Sequence, residues 1–176
     1  MEKTTTIPEG IQFTVEGNTI TAKKGESTLV RLFPLRIVSV SIADGIATVA
    51  SFNETAKSRA MVGTFIAHLN NMIKGLQEPF IYKLKVCSSH FPMTVKQSGN
   101  ELHVQNFLGE KKMRRVKVLE GVNVKIDGQV ITLSSSSIEL AGAVASRIEQ
   151  ATRLNKKDRR VFQDGIFITE KAGKAI

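Results

Sequence analysis

SVSIADGIATVA, residues 39–50, and NVKIDGQVITL, residues 123–133, are the stretches on which the fold turns. Each alternates apolar and polar residues about an Asp-Gly pair, Asp44-Gly45 in the first and Asp127-Gly128 in the second, 83 positions later. Alternation with period two buries one face of a strand, and Asp-Gly between two such runs is a strong hairpin signal because both residues tolerate a positive φ. Two such hairpins in one chain suggest a repeat, and their flanks extend it.

Upstream, FTV and TITAK flank Glu16-Gly17-Asn18, and MTV and ELHVQ flank Ser98-Gly99-Asn100. Downstream comes Ser-x-x-Glu twice, Ser51 with Glu54 and Ser136 with Glu139, the pattern of a capping box that satisfies the first free N–H groups of a helix. Met61, Phe65, Leu69 and Ile73 then recur at helical spacing, as do Leu140, Val144 and Ile148 beside Ala141 and Ala145. The prediction is an α+β fold made by tandem duplication. Two small domains each carry an antiparallel sheet with one packed helix, and a basic irregular C-terminal tail follows. The expected boundaries are 1–78, 79–152 and 153–176, the first join falling where Gly75 ends a helix and Pro79 prevents its resumption.

Composition bounds the class. The 176 residues, 41% of them hydrophobic, suffice for one or two buried cores. The apolar runs fall far short of the roughly 20 residues that span a bilayer, and the N-terminus lacks the apolar middle of a signal peptide, so neither membrane insertion nor export is expected. Cys87 is the single cysteine; it can close no disulfide within the chain and fits a reducing interior. Charge is distributed unequally: residues 1–80 hold eight Lys or Arg against seven acids, net +1, and residues 81–176 seventeen against nine, net +8. Within that half, KKMRRVK places Lys111, Lys112, Arg114, Arg115 and Lys117 in seven residues. RLNKKDRR adds Arg153, Asn155, Lys156, Lys157, Arg159 and Arg160, and Lys171 and Lys174 lie further along the same tail.

Catalytic chemistry is not advertised. His68, His90 and His103 stand 22 and 13 residues apart and match no metal-ligand spacing, so no metal or other cofactor is expected. Phosphate-loop, dinucleotide and nucleophile-elbow patterns are absent from the sequence. Ser88-Ser89-His90 reads as a Ser-rich loop, since adjacent residues of an extended chain point to opposite faces. The basic clusters, rich in Arg and with no acid expected at i,i+4 to quench them, instead suit phosphate contacts. No DNA-reading helix is visible, because both helices are turned to the core, which favours structured RNA recognised by shape and phosphates. The alternative of another class is a protein-binding adaptor that uses the near-neutral first domain.

Asn106-Phe107-Leu108-Gly109-Glu110-Lys111, followed by Arg114-Arg115-Val116, resembles the central motif of the large-subunit ribosomal protein L6 family in its archaeal and eukaryotic branch. The C-terminal run is similar to that branch too, through Gln150, Leu154, Lys157, Arg160, Phe162, Asp164-Gly165-Ile166-Phe167-Ile168 and Glu170-Lys171, and His90-Phe91-Pro92 also fits. The resemblance implies a non-enzymatic cytoplasmic constituent of the large ribosomal subunit. It implies binding to large-subunit ribosomal RNA beside neighbouring ribosomal proteins, near the factor-binding region, the sarcin-ricin loop and the stalk base, with translation factors close by. RNA contact carries over to Gly109, Lys111, Arg114, Arg115, Lys156, Lys157, Arg159 and Arg160. Phe107, Phe162 and Phe167 have two readings, stacking on bases or pinning the chain to its own domain, of which pinning is favoured, and the tail is read as ordered by RNA.

Overall fold

The computed structural model describes residues 2–33, 37–43, 45–53, 55–155 and 157–176. The chain divides into two compact units, Met1–Pro79 and Phe80–Ile176. In the first, β1 (Glu2–Thr6), β6 (Ile46–Ser51) and β5 (Val38–Ala43) form one antiparallel sheet in that order, and β2 (Gln12–Glu16), β3 (Thr19–Lys24) and β4 (Ser27–Leu32) form another. Helix α1 (Ala56–Gln77) buries Val62, Phe65, Leu69, Met72, Ile73 and Leu76, with Phe33 set edge-on to Phe65 at 4.8 Å. Met61, expected on the same face, is only half-buried.

The second unit repeats this order. β7 (Phe80–Cys87), β12 (Val130–Ser135) and β11 (Asn123–Asp127) stand where β1, β6 and β5 stood, and β8 (Thr94–Ser98), β9 (Glu101–Gln105) and β10 (Arg114–Lys117) answer β2, β3 and β4. Helix α2 (Ile138–Ala151) buries Ala141, Val144, Ala145 and Ile148. Each unit thus carries two sheets rather than the single one expected.

The hairpins confirm the repeat and correct its details. Gly17 and Gly99 take φ values of +56° and +57° in two-residue loops that close on Glu16 opposite Thr19 and Ser98 opposite Glu101. Asp44 lies outside the described residues; of the strands on either side, Ala43 pairs with Ile46. In the second copy Asp127 pairs with Val130, so the loop is Gly128-Gln129 and not Asp127-Gly128. The observed register sets Ile126 against Ile131 and Val124 against Leu133, apolar on apolar, where a turn at Asp127-Gly128 puts Gln129 opposite Ile126.

The helix starts also shift. Ser51 ends β6, its hydroxyl donating to the Asn53 carbonyl at 2.8 Å, and the cap of α1 is Thr55, whose Oγ1 accepts the Ser58 N–H at 3.2 Å. Glu54 lies outside the described residues. The cap of α2 is Ser137, accepting the Leu140 N–H, one residue beyond Ser136. The displacement follows from Ser135: its buried hydroxyl donates to the Gly121 carbonyl at 2.7 Å and accepts the Ser137 N–H at 3.2 Å, so the chain bends at residue 136 and the helix starts only after it. Ser137→Ala is therefore expected to lower stability by about 1 kcal/mol in urea unfolding, while Ser136→Ala stays within about 0.5 kcal/mol.

The largest correction concerns the tail. From Gly165 it is regular: β13 (Gly165–Lys171) pairs antiparallel with β7 on the edge opposite β12, and β14 (Lys174–Ala175) closes the five-stranded order β11-β12-β7-β13-β14. Ile166 is fully buried against Leu84 and Val86 in the core, so the chain's own sheet orders this segment. Helix α2 covers the outer edge of β13. The Ile166 N–H donates to Thr152 Oγ1 at 2.9 Å and the Ile168 N–H to Glu149 Oε1 at 3.1 Å, satisfying groups that an exposed strand edge would offer to other chains.

Candidate nucleic-acid interface

The first basic cluster is split by the strand period. Along β10, Val116 is buried, whereas Arg115 and Lys117 point to solvent. Arg114 turns back into the protein. Its Nε and Nη2 donate to the two carboxylate oxygens of Glu110 at 2.9 and 2.6 Å, its Nη1 donates to the carbonyl of Ala151 at 2.7 Å, and its guanidinium lies 4.3 Å from the centre of the Phe107 ring. These hydrogen bonds hold the Glu110 carboxyl below its usual range, helped by the charges of Arg114 and Lys157 and opposed by burial. The expectation that no acid at i,i+4 quenches the cluster fails at Glu110 and Arg114. The two meet without a helix because the chain between them leaves a 3₁₀ turn, Phe107–Gly109, in which Leu108 and Gly109 take φ values of +52° and +77°. Gly109 is exposed, and a Cβ there would stand 3.4 Å from Cε1 of Phe91. Phe107 itself is core.

Three clefts run together around the C-terminal end of α2. One, of about 740 Å³, takes in Lys112, Arg115 and Ala151; the next, about 430 Å³, shares Arg115 and Ala151 and adds Lys117, Arg147 and Gln150. A third, about 470 Å³, shares Gln150 and adds Arg153 and Arg159. Lys112, Arg115, Lys117, Arg147, Arg153 and Arg159 are exposed, and none of these side chains pairs with an acid among the described residues. Sequence reading missed Arg147. Its signal was present: it lies on α2 between Val144 and Ile148, off their buried face.

Other expected contacts fall differently. Lys111 and Asn155 are exposed but line none of these clefts. The Lys157 ammonium sits 4.5 Å over the Phe162 ring, and Arg160 grips Asp158 through Nε and Nη2, the latter at 3.0 Å. Lys171 and Lys174 oppose each other across the β13–β14 pair, apart from the clefts. Lys156 lies outside the described residues.

Behind the second cluster is a buried latch. Asp164 is 2% exposed; it accepts the Ser89 hydroxyl at 2.5 Å, the Ser89 N–H at 2.8 Å and the His90 N–H at 3.2 Å, with His90 Nδ1 also at 3.2 Å. Burial alone raises a carboxyl's pKa, but the hydrogen bonds from Ser89 and His90 outweigh it and hold Asp164 down at about 2. The His90 ring packs on Phe162 at 4.9 Å, so the latch fixes the segment carrying the second cluster to the loop after β7. Ser, His and Asp here do not form a proton relay: Ser89 Oγ and Asp164 approach the same ring nitrogen, whereas a nucleophile and its orienting acid occupy opposite nitrogens. Among the described residues no three His, Cys, Asp or Glu side chains converge as a metal site.

The fold defines a duplicated α+β scaffold, its excess of positive charge gathered on the second unit. Residues 7–78 and 91–165 match the family described as ribosomal protein L6, so the two matched stretches follow the two copies. The chain is 41% identical to the large ribosomal subunit protein uL6 of Archaeoglobus fulgidus over 97% of its own length and 89% of the relative's. It is likewise 41% identical to the large ribosomal subunit protein uL6 of Methanococcus vannielii, over 97% and 93%. The chain belongs to the ribosomal protein L6 family, in its archaeal and eukaryotic type. It is accordingly a structural, non-enzymatic protein of the large ribosomal subunit, in the cytoplasm.

Proposed function

We propose that the second unit holds large-subunit ribosomal RNA on the cationic belt around the end of α2, bracing that RNA near the factor-binding region and stalk base. The observation that carries this is the six exposed cations, Lys112, Arg115, Lys117, Arg147, Arg153 and Arg159, that line joined clefts without acidic partners. Like charges gathered on one surface repel one another, and a phosphate backbone relieves that repulsion while releasing counterions. Lys111, Asn155, Lys157 and Lys156 extend the same basic segments. Arg114 positions the belt rather than touching phosphate, since its guanidinium is engaged by Glu110 and Ala151. Arg160 contributes less than Arg159, being paired with Asp158, and Lys171 and Lys174 form a separate patch. Gly109 shapes the approach. The units act as separate domains, with residues 153–176 part of the second, and translation factors pass close by.

The adaptor reading keeps one observation in its favour: Val30 and Leu32 on β4 are 64% and 74% exposed, and they suit a neighbouring ribosomal protein. Titration of the full chain onto purified large-subunit RNA at several salt concentrations separates the two. Six phosphate contacts give a log-log slope of about −4 to −5, and Arg115→Gln makes it shallower by about 0.7 to 0.9. A flat slope, or one that Arg115→Gln leaves unchanged, overturns the belt and favours the adaptor.

A further inference from the structure

The cleft of about 470 Å³ beside β13 differs from the other two in its walls. It lies within the roughly 300–1,000 Å³ range of small-ligand sites and carries two aromatic rings, Phe162 and Phe167, together with the side-chain amides of Gln150 and Gln163. Its two carboxylates are already engaged. Glu149 accepts the Ile168 N–H, and Asp164 accepts from Ser89 and His90. Both stay negative but face their own donors, so the groups that can take an anionic part of a ligand are Arg153 and Arg159. Gln150 donates through Nε2 to Ser146, leaving its carbonyl oxygen open, and Gln163 makes no side-chain hydrogen bond among the described residues. Phe167 is 36% exposed although Ile166 beside it is fully buried. Its ring lies down against Gly165, where a Cβ would come within 3.1 Å of Cζ, so the glycine permits this ring position on the wall of the cleft.

We infer that this cleft receives one unpaired nucleobase of the bound RNA, stacked on Phe167, with its hydrogen-bonding edge at Gln163 and Gln150 and its flanking phosphates at Arg153 and Arg159. The inference rests on the RNA-binding reading above and adds a base-reading site to a phosphate-binding surface. A base unites what the walls ask for: a flat apolar face, a polar edge of donors and acceptors, and negative charge on both sides. An apolar protein side chain would fill the volume but leave amides and guanidinium groups desolvated without partners. A paired helix cannot enter, because its bases are stacked inside it; an unpaired loop or bulge can splay a base onto an aromatic ring.

The test is chemical probing of purified large-subunit RNA bound to the full chain. Dimethyl sulfate, a carbodiimide and kethoxal together read the pairing edges of all four bases, and hydroxyl radicals read the backbone. Bound protein is expected to protect the edge of one unpaired base. Phe167→Leu and Gln163→Ala should each expose that base again and weaken binding, by about tenfold for the lost stacking, while the backbone footprint and the salt slope stay as they were. Gln163 is on an exposed loop, so its variant serves even where Phe167→Leu melts early. A backbone footprint without base protection, or protection that survives both variants, overturns the base site and leaves RNA binding standing. No footprint of either kind removes both.

Discussion

Deleting Arg153–Ile176 is expected to abolish cooperative unfolding of the second unit. The segment carries β13, which pairs with β7 from Gly165 opposite Cys87 to Glu170 opposite Lys83. Its loss removes the fully buried Ile166, uncovers Leu84 and Val86, and leaves one edge of β7 unpaired. Losing a buried Ile side chain alone costs about 2–5 kcal/mol, and the loss of the strand's hydrogen bonds adds to it. A domain of this size holds only about 5–10 kcal/mol in all. Removing residues 172–176 instead should matter less, because that segment buries no large side chain and holds on by the short β13–β14 pair and two further backbone hydrogen bonds, Gly173 N–H to Ile81 and Ile176 N–H to Thr169. Thermal melts followed by circular dichroism, with amide spectra to assign the loss to residues after Phe80, check both; a deletion that keeps the native second-unit spectrum contradicts the argument.

Asp164→Asn is expected to destabilise the chain by about 2–3 kcal/mol at neutral pH, because the amide turns a donor towards the Ser89 and His90 N–H groups that the carboxylate accepted. Acid should reveal the same contact. The folded carboxyl titrates at about 2 and an unfolded one near 3.9, so the unfolded chain binds the proton first as pH falls. The stabilisation is complete above about pH 5 and drains away as pH falls through 4 towards 2, a difference of roughly 2–3 kcal/mol. Urea unfolding at closely spaced pH values should show this limb in the parent and a flatter one in Asp164→Asn. Equal limbs would mean that other carboxyl groups carry the acid sensitivity.

The two effects share an origin. The latch at Asp164 and the strand that begins at Gly165 bind one stretch of chain to β7 and the loop after it, and the second basic cluster lies just upstream. Mutations there are expected to weaken RNA binding through lost order, which melting temperatures separate from lost charge.

Local chemistry was legible in the sequence. Alternation marked the hairpins, Gly17 and Gly99 marked their loops, and a 3.6-residue period marked the buried faces of α1 and α2, because neighbouring residues alone set these patterns. Runs of Lys and Arg marked the two basic clusters. Contacts between distant residues were not legible. Ile166 pairs opposite Val86, 80 positions away, and the apolar stretch Ile166-Phe167-Ile168 suits many partners until the sheet leaves one edge open to it. Arg114 and Arg115 look alike in sequence; folding sends one to Glu110 and the carbonyl of Ala151 and leaves the other in solvent beside Arg147. The sequence by itself determined the repeat, the two helices and where the positive charge is stored. The tertiary structure alone decided which cations hold the chain and which stay free for an anion, because that division depends on how the backbone turns, as at Phe107–Gly109 where Glu110 is brought to Arg114, and on the Ala151 carbonyl that α2 delivers from 37 positions away.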